Sequence, residues 1–196
     1  MRDGLDFWQI MQTMSGIVRS ACTGAAALSI LLSGVGCNEP SPANALSNWK
    51  PFSPPGGNFV VTMPPNPVEE KPKNITGYEE TKYGIVSAMS NLAGLAIGYS
   101  DQPNTGVFQK EPNRILDAVM KTAIESRAGE LISQTPIKLK KYPGREFTFS
   151  VKGGFTERHR IYVANKRLYS LMVITGSKGL NSPEARTFFD SFDILK

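Results

Sequence analysis

Residues 145–152 alternate strictly in character. Phe147, Phe149 and Val151 fall on one side of an extended chain; Glu146, Thr148, Ser150 and Lys152 fall on the other. Successive side chains of a strand point to opposite faces. This period of two therefore describes a strand with one face in a core and the other outward. Such a strand needs neighbours along its edges and a layer over its apolar face. The flanking sequence supplies the neighbours. Leu131–Lys141 leads in through a turn at Pro143-Gly144, and Gly153-Gly154 makes the next turn. Phe155–Ala164 and Arg167–Thr175 then pair as a hairpin across Asn165-Lys166.

The covering layer comes from two helical segments. Asn113–Arg127 carries Ile115, Leu116, Val119, Met120, Ala123 and Ile124 as an apolar stripe at helical spacing. Asn113 suits its start because its side-chain oxygen accepts from free backbone N–H groups, and Gly129 suits its exit. A second helix starts at Ser182-Pro183-Glu184, with Phe188, Phe189 and Phe192 on one side. Earlier in the chain, Phe59–Met63 reads as a short strand stopped by Pro64-Pro65, and a proline-rich loop runs on through Pro67 and Pro72. Gly84–Asn91 and Ala93–Tyr99 read as two strands turning at Asn91-Leu92. The order gives an α+β fold over residues 58–196, an antiparallel sheet layered with helices in a single domain.

The N-terminal part is of another kind. An apolar run, Ala21–Val35, follows Arg19 and ends at Gly36-Cys37. It is shorter than the roughly 18 residues of a spanning helix and fits the apolar stretch of a secretory signal. Residues 1–13 carry Asp3, Asp6, Phe7 and Trp8, so Met14 gives the more compact basic start. Cys37 opens the stretch Asn38-Glu39-Pro40-Ser41-Pro42. Residues 14–37 resemble a bacterial lipoprotein signal, with Cys37 as the lipid-accepting residue. The usual pattern places Leu three positions before the cysteine; here Gly34-Val35-Gly36 precede it, and Leu32 stands two places early. A plain signal cleaved nearby is the alternative. The expected organisation is a signal peptide over 1–36, a lipidated cysteine with a Pro/Gly-rich tether over 37–57, and the domain over 58–196. Pro40, Pro42, Pro51, Pro54 and Pro55 make the tether semi-rigid, and Gly56-Gly57 makes a joint. Trp49 and Phe52 break its polarity and are expected to dock on the domain. The resemblance implies export to the cell envelope, with attachment on the periplasmic or outer face of a membrane.

Chemistry-bearing residues are sparse. The chain holds two cysteines, and Cys22 would leave with the signal. The mature protein then forms no internal disulfide and rests on its core. His159 is the single histidine, so no multi-histidine metal site exists. Between Arg158 and Arg160 it reads as a surface or edge residue whose charged form is disfavoured. There is no G-x-S-x-G elbow, and Gly176-Ser177-Lys178-Gly179 lacks the Walker spacing. Ser47-Asn48-Trp49-Lys50 matches S-x-x-K but lies in the tether without partner motifs. Asp101, Glu111, Asp117, Glu125, Glu130, Asp190 and Asp193 are scattered, and only convergence in space would make a hydrolytic pair of any two. No catalytic residue, metal site or cofactor is expected.

The net charge is +5, and losing the signal leaves it unchanged because two basic and two acidic residues go together. Lys138, Lys140, Lys141, Arg145, Arg158, Arg160 and Arg167 crowd one stretch of strands, with Lys152 and Lys166 among them. Ordinary solvated strand positions account for such residues. The functional reading is a patch for an anionic surface. Nucleic acid is excluded as a partner, since no binding motif is present and export separates the chain from it.

The element order carries a second resemblance. A Phe59–Met63 strand and a hairpin ending at Tyr99-Ser100-Asp101 precede the long helix. Tyr142-Pro143-Gly144-Arg145-Glu146 lies within Lys138–Phe149. Arg160-Ile161-Tyr162, Arg167-Leu168-Tyr169 and Phe188-Phe189-Asp190-Ser191-Phe192 follow. The whole resembles the PsbP-like α/β/α sandwich, as used by small envelope lipoproteins of the DcrB type. That resemblance implies a mostly non-enzymatic class of accessory and assembly factors. The expectation is a non-catalytic envelope adaptor, held to the membrane by its lipid, that contacts an envelope protein or an anionic lipid or polymer. A lipid or small-molecule carrier with a pocket between sheet and helix is the alternative, and a hydrolase the weakest one.

Overall fold

The computed structural model describes the backbone of residues 46–75, 81–90, 93–101, 110–176 and 179–195, and the side chains of these except at 70–75, 81–83 and 85. The signal segment and Cys37 lie outside the described residues, as does the Asn91-Leu92 turn. Among the described residues ten strands and two helices follow in order. They are β1 (Lys50–Phe52), β2 (Phe59–Met63), β3 (Val68–Ile75), β4 (Thr81–Met89), β5 (Gly94–Asp101), α1 (Pro112–Ser126), β6 (Glu130–Leu139), β7 (Tyr142–Val151), β8 (Phe155–Ala164), β9 (Arg167–Gly176), α2 (Pro183–Asp190) and β10 (Asp193–Ile194).

Seven strands form one antiparallel sheet in the order β3-β4-β5-β9-β8-β7-β6. Two meanders, β3-β4-β5 and β6-β7-β8-β9, meet where β5 pairs with β9. Burial follows position in the sheet. From Leu168 to Thr175 every residue of β9 is buried, and β5 is buried from Gly94 to Ser100. These central strands are therefore nearly continuous apolar runs, as strands covered on both faces must be. At the edge, β6 is exposed over its first seven residues.

Each face of the sheet has its own core. On one, Leu116, Val119 and Ala123 of α1 pack against Phe147, Phe149, Val151, Ile161, Val163, Met172 and Ile174. The other face is covered by a three-stranded sheet, β1-β2-β10, together with α2. There Phe59 meets Tyr99, Tyr169 and Phe192 at ring separations of 5.8–6.0 Å, and Phe188 and Phe189 fill the space beside them.

Several local expectations change. The folded unit begins before Asn58: β1 pairs with β2, and Trp49 and Phe52 pack on the core. The stretch after Pro67 is strand β3 rather than loop. Asn113 does not cap α1; Glu111 holds that position without a side-chain bond, and Pro112 opens the helix. At the exit Ala128 takes the left-handed conformation at φ 46°, and the Gly129 amide donates to the Ile124 carbonyl. Gly129 is needed for space, since a Cβ there would lie 2.6 Å from the Phe149 ring. Pro143-Gly144 is within β7, and the turn falls at Lys140-Lys141, with Lys140 at φ 55°. A Cβ on Gly144 would lie 2.5 Å from the Tyr162 ring, so this glycine leaves room for the ring of its direct partner across the β7–β8 ladder. Ser182 caps α2 as expected, accepting from the Ala185 amide at 3.2 Å.

Phe59 is fully buried among three aromatic rings. Phe59→Ala should lower stability by about 3–5 kcal/mol, read as a fall in the midpoint of chemical denaturation with an unchanged slope.

Candidate functional site

The strand register sorts the basic residues. Side chains directly opposite across a ladder share a face. Lys138 and Arg145 lie on the α1 face, and Arg145 pairs with Asp117 of α1 at 2.6 Å. Arg158, Arg160 and Arg167 lie on the opposite face. Arg160 holds Glu146 at 2.6 Å and Asp190 at 2.8 Å, and its guanidinium covers the Phe189 ring. Arg158 donates to the Leu180 carbonyl and to Asn181. Arg167 forks onto Asp101, covers Tyr99, and donates to the Gly56 and Gly57 carbonyls at 2.7 and 2.9 Å. These four arginines bind the layers and the N-terminal segment to the sheet.

The lysines behave differently. Lys140 and Lys141 form the β6–β7 turn, and Lys166 sits in the β8–β9 turn. Both turns lie at the same end of the sheet, two strand spacings or about 10 Å apart. Lys138 is two residues before the first turn. Lys140 reaches Asp193 at 2.6 Å. Lys138, Lys141 and Lys166 are exposed, and no carboxylate pairs with them among the described residues.

The other end of the sheet carries exposed apolar side chains alongside the exposed Glu130 and Lys152. Val68 opens β3, Met89 closes β4, Phe155 opens β8, and Leu131 and Ile132 follow Glu130 at the start of β6. The registers put all of these at the end opposite the lysine turns. All five are exposed, Ile132 to 60% and Val68 to 59%. Among the described residues only Leu195 is a large exposed apolar side chain elsewhere. They form two groups, Val68 with Met89 toward the β3 edge and Phe155 with Leu131 and Ile132 toward the β6 edge, and neither is apparent in the sequence because the members are far apart in the chain.

His159 is fully buried, which corrects the expected surface position. Alternation explains the error. Arg158 and Arg160 flank it in sequence but point to the opposite face. His159 lies under α1, stacked on Phe147 at 4.9 Å and Phe149 at 5.3 Å. Its Nε2 is 3.1 Å from Oε2 of Glu157, which is also fully buried. Arg127, at the C-terminal cap of α1, reaches down to Oε1 of the same carboxylate. Burial alone would raise the Glu157 carboxyl, but the hydrogen bond and charge of His159 and the Arg127 guanidinium outweigh it and hold it below its ordinary 4.5. Among the described residues no group of three His, Cys, Asp or Glu side chains gathers as a metal site would need.

Six of the seven scattered carboxylates are turned to separate cations: Asp101 to Arg167, Glu111 to Arg114, Asp117 to Arg145, Glu125 to Lys121, Asp190 to Arg160 and Asp193 to Lys140; Glu130 is exposed at the start of β6. Lys50 of the S-x-x-K match is exposed in strand β1, so the helical turn that chemistry requires is missing there. Among the described residues no helix is long and apolar enough to cross a membrane.

No family model matches the sequence, and no curated protein does. Solved structures do. The solution structure of cyanobacterial PsbP (CyanoP) from Synechocystis sp. PCC 6803 is similar at a TM-score of 0.53 and 12% identity, covering 85% of this chain and 98% of that one. A Bacteroides thetaiotaomicron VPI-5482 protein is similar at a TM-score of 0.44 and 14% identity, covering 76% and 49% of the two chains. A Pseudomonas aeruginosa protein of unknown function is similar at 0.40 and 10% identity, covering 68% and 86%. The domain has the PsbP-like α+β fold.

Removing Arg127 strands a buried carboxylate. Arg127→Ala should cost about 3–5 kcal/mol, whereas Lys121→Ala, which breaks an exposed pair, should cost less than about 0.5 kcal/mol; denaturant unfolding distinguishes them. The Glu157 contribution has a definite sign. It is present above pH 4.5 and is lost as pH falls from there through the lowered folded value. Glu157→Gln should flatten this acid limb in a pH series of unfolding curves.

Proposed function

We propose that this protein is a non-catalytic adaptor of the bacterial envelope, exported and attached to a membrane through a lipid on Cys37. The observation that carries the reading is the contrast between the two ends of the sheet. One end presents the lysines of two adjacent turns, suited to anionic headgroups or an acidic polymer. The other presents exposed apolar side chains in two groups, Val68 with Met89 toward one edge and Leu131, Ile132 and Phe155 toward the other, suited to a protein partner. Two unlike contact surfaces on one sandwich fit a bridging role better than a catalytic one. The layer between sheet and α1 is filled by Leu116, Ala123, Phe147, Phe149 and His159. That filling favours surface contact over an internal ligand.

The arginines of the 138–167 stretch have structural work, so the anionic contact falls to Lys138, Lys141 and Lys166. Lys141→Glu combined with Lys166→Glu should weaken binding to vesicles containing anionic lipid at least about tenfold, since each basic residue near such a surface contributes about 1 kcal/mol. Sedimentation with vesicles of neutral and anionic composition measures it. Equal binding by the folded double variant and the parent would reject the lysine end as the contact. The anchor is tested separately. Intact mass of protein from native membranes should begin at Cys37 with added acyl mass, and Cys37→Ser should abolish that species.

A further inference from the structure

Where the chain enters the domain decides which end of the sheet its anchor brings to a membrane. The start of β2 lies at the lysine end. Arg167, which opens β9, donates to the Gly56 and Gly57 carbonyls, and the Leu195 amide after β10 donates to the Asn58 carbonyl at 2.9 Å. Three basic residues give the direction from there. Arg158 holds Leu180 and Asn181 ahead of α2. Arg160, two residues nearer the β8–β9 turn, holds Asp190 at the end of α2, and Lys140 in the β6–β7 turn holds Asp193. The chain from 180 to 193 thus runs toward the lysine turns. Strand β10 continues it and pairs antiparallel with β2. Strand β2 therefore runs away from those turns, and its Thr62 amide donates to Ser191 Oγ at 2.8 Å. Strand β1 is antiparallel to β2, with Lys50 opposite Met63.

Phe59 packs on Tyr99 and Tyr169, each two residues in from the lysine end of its strand, and Met63 is four residues further along β2. At about 3.3 Å per residue, Lys50 sits about 20 Å from the lysine end of a sheet whose ten-residue strands are about 33 Å long. The turn closed by the Trp49 amide on the Leu46 carbonyl comes before it. The chain thus enters in the half that carries the apolar groups. From Cys37 to Leu46 is nine residues, which span at most about 32 Å when fully extended. With the lysine end on the leaflet, this segment would run back along β2 and past the lysine side chains. It would then be stretched close to its limit and lose most of its conformational freedom. With the apolar end on the leaflet it stays slack, and the lysine turns stand about 33 Å off, several screening lengths of about 8 Å from the headgroups.

We propose that the anchored domain stands with its apolar end toward the leaflet that holds its lipid and its lysine end pointing away, so that Lys138, Lys141 and Lys166 meet a polyanionic polymer of the envelope and not the headgroups of their own membrane. This orientation rests on the anchor at Cys37 in the reading above. The protein partner of the apolar end is then one held in or on that same membrane.

Loss of the signal removes Cys22, and acylation occupies Cys37, so Lys166→Cys and Phe155→Cys each create one labelling site. The acylated protein from native membranes, carrying a dye at that site, is reconstituted into vesicles that contain anionic lipid and a headgroup-attached quencher. Fluorescence from position 155 should be lost and that from position 166 retained. Ile132→Cys repeats the apolar-end reading should Phe155→Cys fail to fold. Polyphosphate added to the unlabelled anchored protein should bind, and Lys141→Glu with Lys166→Glu should weaken that binding at least about tenfold. In a preparation whose intact mass includes the acyl chains, any other pattern, such as loss at 166 or an equal response at both positions, overturns the orientation and leaves the anchor standing. A preparation without acyl mass overturns both. Polyphosphate binding that is absent, or unchanged in the folded double variant, overturns the polymer contact.

Discussion

Pairing β5 with β9 creates a central pair of strands with no face left for water. Both meanders depend on that junction, and both faces of it must be covered. Helix α1 covers one side with Leu116, Val119 and Ala123. The other side takes the more elaborate solution of a small sheet and α2, gathered around Phe59, Phe188 and Phe192. Because β2 belongs to that second layer, the chain before it is drawn into the fold. Arg167 then grips the carbonyls of Gly56 and Gly57, and the Tyr169 hydroxyl donates to Gly57 at 3.2 Å. The segment expected to be a free joint is thus fixed to the sheet.

The two faces differ in what accompanies the apolar packing. On the α2 side the arginines lie toward the margins and hold loops and helix ends from partly exposed positions, where each pair adds little by itself. On the α1 side one ionic cluster is largely enclosed: Glu157 and His159 are fully buried, and Arg127 closes over them from the helix end. Its pairing offsets the loss of hydration, so its presence is a weak argument for stability, while loss of any member is costly. Its position at the end of α1 complements the Arg145–Asp117 pair nearer the start of the helix, so ionic contacts flank the apolar one.

Much of the fold was legible where local pattern and final environment agree. The alternation of 145–152, the apolar stripe of α1, the Ser182 cap and the Asn165-Lys166 hairpin each depend on neighbours close in sequence, and the PsbP-like order of elements followed from them. Strands β1, β3 and β10 were not legible. They are short, proline-bearing or polar, and are strands because β2 or β4 offers an edge. His159 was misread because its neighbours in sequence were taken as neighbours in space, although a strand turns them to the opposite face. The contrast between the ends of the sheet was invisible for a related reason: only the register of seven strands puts Val68 and Met89 near one edge, and Leu131 and Phe155 near the other, at the same end of the sheet.

That contrast is the basis for assigning a contact role to a domain whose carboxylates and single histidine are engaged in holding it together. Photocrosslinking in the native envelope tests it most directly. A crosslinking residue would be placed at 141 or 166 on the lysine end, at 132 or 155 on the apolar end, and at 118 on the exposed side of α1. The account predicts adducts with lipid or acidic polymer from 141 and 166, protein adducts from 132 and 155, and none from 118. Adducts from 118, with neither end of the sheet crosslinked, would contradict it.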